Sequence, residues 1–214
     1  MSTLWVLNPN STQAMTDAVL AQVRSGLPPG VDAAGITLAA GPPVIDSRPR
    51  FAQAQALVAA QAIGDGLVLL ACFGDPGLEA LRARRGGQPV AGLAEAAVAE
   101  AVAAGQRFAI VTAGAAWVDM LRERVADFGA AAWLTGVHAL PFNGLALARD
   151  PEGCQAALTA LVQQVERSDA QALILGGAAF AGLEGGVRSR LNIIRPVTAA
   201  VRALLRPSSG QGGR

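Results

Sequence analysis

The residue with the clearest chemical setting in this sequence is Cys72, which ends an apolar run and opens a motif of turn-forming residues. The run LVLLA covers residues 67–71, and FGDPGL covers residues 73–78. This pattern predicts a buried strand, a tight turn and a helix with Asp75 as its N-cap and Pro76 in its first turn. A thiol at that strand end would face the positive end of a helix, which favours the thiolate. Because open α/β sheets bind ligands at such strand ends, we predict a reactive thiol in a ligand-binding cleft.

Two other side chains could take part in acid–base chemistry, and neither has a comparable setting. Cys154 follows DPEG (residues 150–153), which is typical of a helix start, so we interpret it as structural and leave open a role as a surrogate acid. His138, the single histidine, lies inside an apolar run and is interpreted as a core or strand-end residue. One histidine and two distant cysteines lack metal-ligand spacing, and no glycine-rich phosphate loop follows a strand. We therefore expect no metal and no cofactor.

Composition and charge limit the partners. The 214 residues are 52% hydrophobic, and 17 Lys and Arg against 16 Asp and Glu give a net charge of +1. This balance lacks the basic patch that attracts nucleic acid or an anionic membrane, so neither is an expected partner. No signal segment or spanning apolar run is recognised, and two cysteines are too few for a disulfide scaffold. We expect a cytoplasmic protein whose partner is a small molecule, and a homo-oligomer is left open; the class of substrate, a carbonyl compound, follows from the motifs described below.

Short β-like runs alternate with alanine-rich helical stretches along the chain. The predicted strands cover residues 4–8, 34–39, 66–71, 107–112, 133–140 and 172–176. The segment 93–105 predicts a helix that ends at a glycine. Such alternation is typical of parallel sheets covered by helices, so the predicted fold class is α/β.

The two halves of the chain look like a repeat. When Cys72 is laid on Gly177, the strand 67–70 falls on residues 172–175. We therefore predict two pseudo-symmetric lobes, each a parallel sheet flanked by helices, with a cleft between them. The predicted N-terminal lobe covers residues 1–92 and the C-terminal lobe residues 93–195. A helix at 196–206 returns to the first lobe, and residues 207–214 form a flexible tail.

Three motifs in the first half of the chain carry a resemblance to a known family. NPNST (residues 8–12) follows the first strand, ACFGDPGL occupies residues 71–78, and PVAGLAEAA occupies residues 89–97. Together they resemble the Asp/Glu/hydantoin racemase superfamily, and within it the hydantoin racemase branch. The strand RFAIVT (residues 107–112) is similar to the one that opens the family's second lobe, so the resemblance covers nearly the whole chain. It implies two α/β lobes, no cofactor, and two cysteines on opposite faces of the substrate.

The resemblance also implies roles for individual residues. A proton beside a carbonyl is weakly acidic, so its removal needs a base and hydrogen-bond donors aimed at the carbonyl oxygen. Cys72 would be the catalytic acid/base. Residues at the strand ends would bind the substrate, with backbone N–H groups contributed near Phe73 and Gly74; this set comprises Asn8, Ser11, Phe73, Gly74, Thr112, Gly177 and Ala178.

The chain departs from the family at the end of the second lobe's last strand. Relatives carry LGCAGM there, whereas this chain reads LGGAAF at residues 175–180, with Gly177 in the place of the second cysteine. Relatives of the arylmalonate decarboxylase type use one cysteine, but it lies on the C-terminal lobe, so this chain has the mirror arrangement. A two-cysteine mechanism does not carry over.

Three functions remain open on these grounds. The first is a cofactor-independent racemase or epimerase that acts on a hydantoin-like compound, with water or another side chain replacing the second thiol. The second is a one-cysteine enzyme that catalyses decarboxylation, isomerisation or hydrolysis. The third is a small-molecule binding protein that kept the cleft and lost the chemistry.

Overall fold

The computed structural model describes residues 2–177, 180 and 186–206, and it confirms the α/β fold class. Two four-stranded sheets, all of whose paired strands run parallel, are flanked by helices. Both sheets place their strands in the same order, with the second strand outside the first and the third and fourth on its other side. Two predictions, the binding role of Ala178 and the tail at 207–214, lie outside the described residues.

The first sheet has the order β2-β1-β3-β4, and its third strand, LVLL, is almost entirely buried. Helix α1 buries Met15, Val19 and Val23, which are spaced by four residues and so lie on one face. The strands of this sheet are β1 (Ser2–Asn8), β2 (Val31–Thr37), β3 (Leu67–Leu70) and β4 (Val90–Gly92). The helices around it are α1 (Gln13–Ser25), α2 (Arg48–Ala60), α3 (Leu78–Arg84) and α4 (Leu93–Ala103).

The second sheet has the order β6-β5-β7-β8, and its central strands β5 and β7 are wholly buried. Its strands are β5 (Phe108–Ala113), β6 (Leu134–Leu140), β7 (Ala172–Gly176) and β8 (Asn192–Ile194). The remaining helices are α5 (Trp117–Asp127), α6 (Gly144–Arg149), α7 (Pro151–Val165) and α8 (Pro196–Leu205), with a 3₁₀ turn at Ala131–Trp133. None of the helices in the described part of the chain has the length and apolar character needed to cross a bilayer.

Helices α4 and α8 join the two sheets into one hydrophobic core. They pack against each other; α4 touches β4, β7 and β8, while α8 touches α1, β3, β4 and β7. Helix α4 ends where the sequence predicts, because Gly105 takes a positive φ of 65° and the last carbonyls accept from Gly105 and Gln106. We propose the predicted lobe division for this fold, with the boundary where β4 ends at Gly92 and α4 begins.

The structure corrects several local predictions. The strand expected at 34–39 lies at Val31–Thr37, and the three-residue strands β4 and β8 were not predicted, because so short a run carries no readable alternation. Asp75 does not cap the following helix: α3 begins at Leu78 with Gly77 at its N-cap. The reason is that the carboxylate of Asp75 is bound elsewhere, at the start of α4.

Candidate active site

The carboxyl ends of both sheets face one cavity of about 60 Å³ between the lobes. Four of the predicted site residues line it: Cys72, Phe73, Thr112 and Gly177. Asn8, Ser11 and Gly74 lie behind this wall and do not line the cavity. Nine lining residues were not among the predicted set: Asn10, Met15, Val44, Ile45, Ala71, Ala113, Trp117, Gly144 and Gly176.

Cys72 is the first residue of the turn that follows β3, and its side chain is 8% exposed. The backbone N–H of Asp75 donates to the Cys72 carbonyl oxygen at 3.0 Å and closes the turn. Burial raises the pKa of the Cys72 thiol far above its ordinary value, and the nearby Asp75 carboxylate raises it further. This raised pKa runs against the sequence-based expectation of a favoured thiolate, because it favours the protonated thiol at neutral pH.

Hydrogen bonds of Asp75 link the turn that carries Cys72 to the start of helix α4. It has a positive φ of 54°, and its carboxylate oxygens accept from the backbone N–H groups of Ala94 (3.1 Å) and Glu95 (2.8 Å) in the first turn of α4. A Cβ at Gly92 would overlap this carboxyl group, so the contact requires glycine there. Burial raises the pKa of Asp75 to about 7, opposed by the two hydrogen bonds. The side chain thus supplies the N-terminal cap that α4 lacks locally.

Asn8 organises the loop after β1 and leaves its neighbour Asn10 to face the cavity. The Asn8 Nδ2 donates to Asn10 Oδ1 at 3.0 Å and to Thr16 Oγ1 at 2.9 Å, and its Oδ1 accepts from the Asn10 backbone at 3.1 Å. Within the described part of the chain, Asn10 Nδ2 donates to the sulfur of Met15 alone, at 3.5 Å, and this sulfur is a weak acceptor. Ser11 sits further out in the same loop, where its backbone N–H donates to Pro42. The amide of Asn10 is therefore the polar group that this loop offers to a ligand.

Thr112 is the polar residue that the second lobe presents. It lies at the end of β5, paired with Gly176 of β7, and it is 2% exposed. Its hydroxyl has no hydrogen-bond partner within the described part of the chain, although it lines the cavity. A buried hydroxyl in that state is stabilised by any acceptor or donor that a ligand brings.

Two consecutive glycines end β7, and they have different surroundings. A Cβ at Gly176 would lie 2.6 Å from the Phe73 ring and 2.9 Å from Ile110, so this glycine permits close packing between the lobes. Among the described residues, a Cβ at Gly177 would meet the Phe180 ring, at 3.3 and 3.5 Å. Gly177 is the counterpart of Cys72 in the second lobe, and it therefore leaves space at the cavity wall.

The other candidate groups lie away from the cavity. Cys154 is buried in the outer hydrophobic cluster of the second lobe, with Leu158 and Phe180. His138 is half-buried on the edge strand β6, where burial and Arg122 lower its pKa. No group of three or more potential metal ligands occurs among the described residues.

The cavity wall carries no formal charge among the described residues that line it. Its polar groups are the thiol of Cys72, the amide of Asn10 and the hydroxyl of Thr112, and most other contacts are apolar or backbone. An ionised ligand in this space would lack the charged partner that burial demands. The site suits a small, uncharged molecule with carbonyl groups.

Comparisons with known proteins agree on one family. A family model described as Asp/Glu/Hydantoin racemase matches residues 4–204. A hydantoin racemase from Rhizobium meliloti is 30% identical, covering 92% of this chain and 85% of that protein. Among solved structures, allantoin racemase from Klebsiella pneumoniae superposes with a TM-score of 0.84 and 29% identity, covering 95% of this chain and 86% of that one. Allantoin racemase from Pseudomonas fluorescens gives 0.82 and 27%, covering 94% and 88%.

Proposed function

Because the chain belongs to the Asp/Glu/hydantoin racemase family, we propose that it is a cofactor-independent isomerase that uses Cys72 as acid/base at a carbon next to a carbonyl. The observation that carries this proposal is the position of the thiol. Cys72 lines the cavity between the carboxyl ends of the two sheets, across from the strand ends at Thr112 and Gly176. A substrate in that cavity would lie between the thiol and the second lobe.

The character of the wall supports a hydantoin-like substrate. Hydantoin and allantoin, which give the similar racemases their names, are uncharged rings with carbonyl groups. The described cavity wall has no charged side chain to pair with the ammonium and carboxylate of a free amino acid. A neutral ring amide needs only hydrogen-bond partners, which Asn10 and Thr112 can provide.

Proton removal in this proposal begins with the thiolate form of Cys72. The thiolate takes the proton from the ring carbon and becomes a thiol, while negative charge moves to the neighbouring carbonyl oxygen. Donors that line the cavity would stabilise that oxygen: the Asn10 amide, the backbone N–H of Phe73 and the Thr112 hydroxyl. The raised pKa of Cys72 means that thiolate is scarce at neutral pH but strongly basic when formed.

Inversion requires a proton from the opposite face, and we propose that water supplies it. Gly177 leaves room beside the Phe180 ring, and no second thiol lines the cavity among the described residues. A water there would donate its proton to the carbon and leave hydroxide, which the Cys72 thiol neutralises through solvent. Cys154 is buried in a separate cluster, which argues against it as the surrogate acid.

The same glycine favours a second candidate function. With an acid on one face only, Cys72 could protonate a planar intermediate without inverting it, or attack the substrate, giving decarboxylation, isomerisation or hydrolysis with one cysteine. Loss of chemistry altogether would leave a binding protein. These alternatives differ from racemisation in what they do to optical rotation.

The test is polarimetry on single enantiomers of 5-substituted hydantoins, with Cys72→Ala as the matched variant. Racemisation predicts that rotation decays to zero from either enantiomer and that the variant shows only the uncatalysed rate. Unchanged rotation with the active protein would contradict racemisation of hydantoins. Decay that is equal in the two proteins would remove Cys72 from the mechanism.

A further inference from the structure

Trp117 belongs to the second lobe, yet its contacts are with first-lobe segments around Cys72. It is the first residue of α5 and is 8% exposed. Its indole Nε1–H donates to the carbonyl oxygen of Ile45 at 3.0 Å in a buried hydrogen bond. Its ring meets Phe51 edge to face, with centroids 6.1 Å apart and planes at 82°. The side chain therefore bridges the lobes at the rim of the cavity.

The same ring also rests on the turn that carries Cys72. A Cβ added to Gly74 would lie 2.7 and 2.9 Å from two atoms of the Trp117 ring, so the indole packs directly on this backbone. Gly74 also has a positive φ of 153°, which fits its place under a flat ring. Displacement of the indole would therefore free the backbone next to Cys72.

Ile45 belongs to a segment that covers the cavity. We name residues 42–48, from the loop after β2 to the first residue of α2, the strap. Its residues Val44 and Ile45 line the cavity together with Cys72, and Ile45 is 4% exposed. The strap thus forms part of the wall that a substrate must touch. From the first lobe it is held at Pro42 and Pro43, whose carbonyl oxygens accept from the Ser11 backbone N–H and the Thr12 hydroxyl. From the second lobe it is held by the Trp117 hydrogen bond to Ile45, next to Cys72 in the wall.

Helix α5 makes two further links to the first lobe from the same side. Glu123 pairs with Arg48 at the end of the strap, at 2.6 Å, and Arg124 pairs with Glu79 of α3 at 3.1 Å. The Arg48 pair is exposed on both sides and contributes little energy by itself. The buried indole bond is therefore the strongest single polar link between the strap and the second lobe.

We infer that Trp117 is a positioning residue through which the second lobe fixes both the strap over the cavity and the turn that carries Cys72. The inference rests on the proposed function only in taking Cys72 as the reacting group. Its consequence is that the reactivity of Cys72 depends on an indole that does not react. Loss of the indole N–H opens the strap and exposes the thiol.

The experiment uses iodoacetamide labelling of the protein without substrate, quantified separately for the two cysteines. Trp117→Phe removes the N–H and keeps an aromatic ring over Gly74. We expect the labelling rate of Cys72 to rise about tenfold, the effect of losing one buried hydrogen bond, while Cys154 is unchanged. Trp133→Phe, which alters the other tryptophan of the second lobe, is the control and should leave both rates as they are.

Cys154 makes the result specific, because it is buried in a separate cluster of the second lobe. A general loss of structure raises both labelling rates together, and that outcome overturns the inference. An unchanged Cys72 rate in folded Trp117→Phe overturns it as well. With a substrate that turns over, the same variant should raise KM as well as lower kcat, because the strap forms part of the binding wall. The labelling arm needs no substrate and so stands apart from the test of racemisation.

A measurement on the unaltered protein covers the case in which the variant does not fold. The indole N–H of Trp5 also donates to a backbone carbonyl, that of Asp65 at 3.1 Å, but it is exposed and stays within one lobe. We expect hydrogen exchange at the Trp117 indole to be at least about tenfold slower than at Trp5. Equal exchange at the two indoles would overturn the inference.

Discussion

The third strand of each lobe is followed by a backbone hydrogen bond between corresponding residues, and the side chains at those positions differ in chemistry. In the first lobe the N–H of Asp75 donates to the carbonyl of Cys72 at 3.0 Å; 105 residues later the N–H of Phe180 donates to the carbonyl of Gly177 at the same distance. One turn holds a thiol and a buried carboxylate, and the other holds a hydrogen atom and a phenyl ring. A shared backbone therefore does not preserve shared chemistry, and we propose that the first lobe carries the reacting group alone.

The polar residues at the ends of the first strands of the two lobes, β1 and β5, also differ in their hydrogen bonding. Asn8 at the end of β1 is held by hydrogen bonds to its own loop and to Thr16. Thr112 at the end of β5 makes no such bond in the described part of the chain. Asn8 therefore fixes the shape of its own loop, whereas the Thr112 hydroxyl, which has no partner among the described residues, lines the cavity and is available to a ligand.

The largest expected effect comes from comparing the two cysteines. Cys72→Ala should lower turnover of a hydantoin by at least about 10³-fold, since it removes the acid/base, and should cost only about 1 kcal/mol of stability. Cys154→Ala should cost similar stability and keep the activity, because this thiol is buried away from the cavity. Initial rates and thermal melts of both variants test this pair. Equal activity losses would contradict the assignment.

Cysteine substitutions at the two glycines at the end of β7 sharpen the comparison, because one of them restores a thiol to the second face of the cavity. Gly177→Cys should increase racemisation by about 10- to 100-fold, because a general acid then stands on the second face and, among the described residues, the Phe180 ring is what must shift. Gly176→Cys is the matched control, and it should destabilise the fold by about 1–3 kcal/mol because its Cβ meets Phe73 and Ile110. No gain in a well-folded Gly177→Cys would show that the two faces are not aligned.

Two buried threonines, one in each lobe, separate binding from stability. Thr112→Val should lower kcat/KM about tenfold and leave stability almost unchanged, because the lost hydroxyl has no partner in the described protein. Thr16→Val should instead cost about 1–2 kcal/mol of stability, since the Thr16 hydroxyl is bonded to Asn8 and Thr37. Urea unfolding and kinetics on both proteins check this, and reversed results would refute the division of roles.

A prediction about stability rather than activity concerns Asp75, whose place in the second lobe is taken by uncharged Phe180. The pKa of the Asp75 carboxyl is about 7 in the folded protein, against an ordinary value of 3.8. Between these pH values the folded state keeps a proton that the unfolded state has lost, so the free energy of unfolding falls as pH rises and levels off above 7. The slope from this group is about 1 kcal/mol per pH unit.

Urea titrations of the wild type and Asp75→Asn between pH 4 and pH 8 measure that slope. The variant lacks the titrating carboxyl, so its stability should fall less over this range. Parallel curves for the two proteins would mean that Asp75 titrates normally.

The sequence predicts the parts of the site that depend on local patterns. The buried strand before Cys72 and the alternation of strands and helices are visible as runs of residue types, and the structure has them. The cap that Asp75 provides to α4 joins residues 19 apart and requires Gly92, so no local signal announces it. The strap and Trp117 were missed for the same reason, because the hydrogen bond to Ile45 spans 72 residues. Contacts between lobes depend on tertiary packing that periodicity does not encode.

The most direct test of a single reacting thiol compares proton exchange with inversion in deuterated water. Each enantiomer of a 5-substituted hydantoin is incubated with the protein, and loss of the C5 proton is followed by NMR while chiral chromatography follows inversion. If Cys72 acts from one face and only water from the other, the enantiomer whose C5 proton faces Cys72 should exchange with retention at least about tenfold faster than it inverts. The other enantiomer should exchange no faster than it inverts. Exchange and inversion at equal rates from both enantiomers, or exchange that persists in Cys72→Ala, would contradict the assignment of Cys72 as the only reacting thiol.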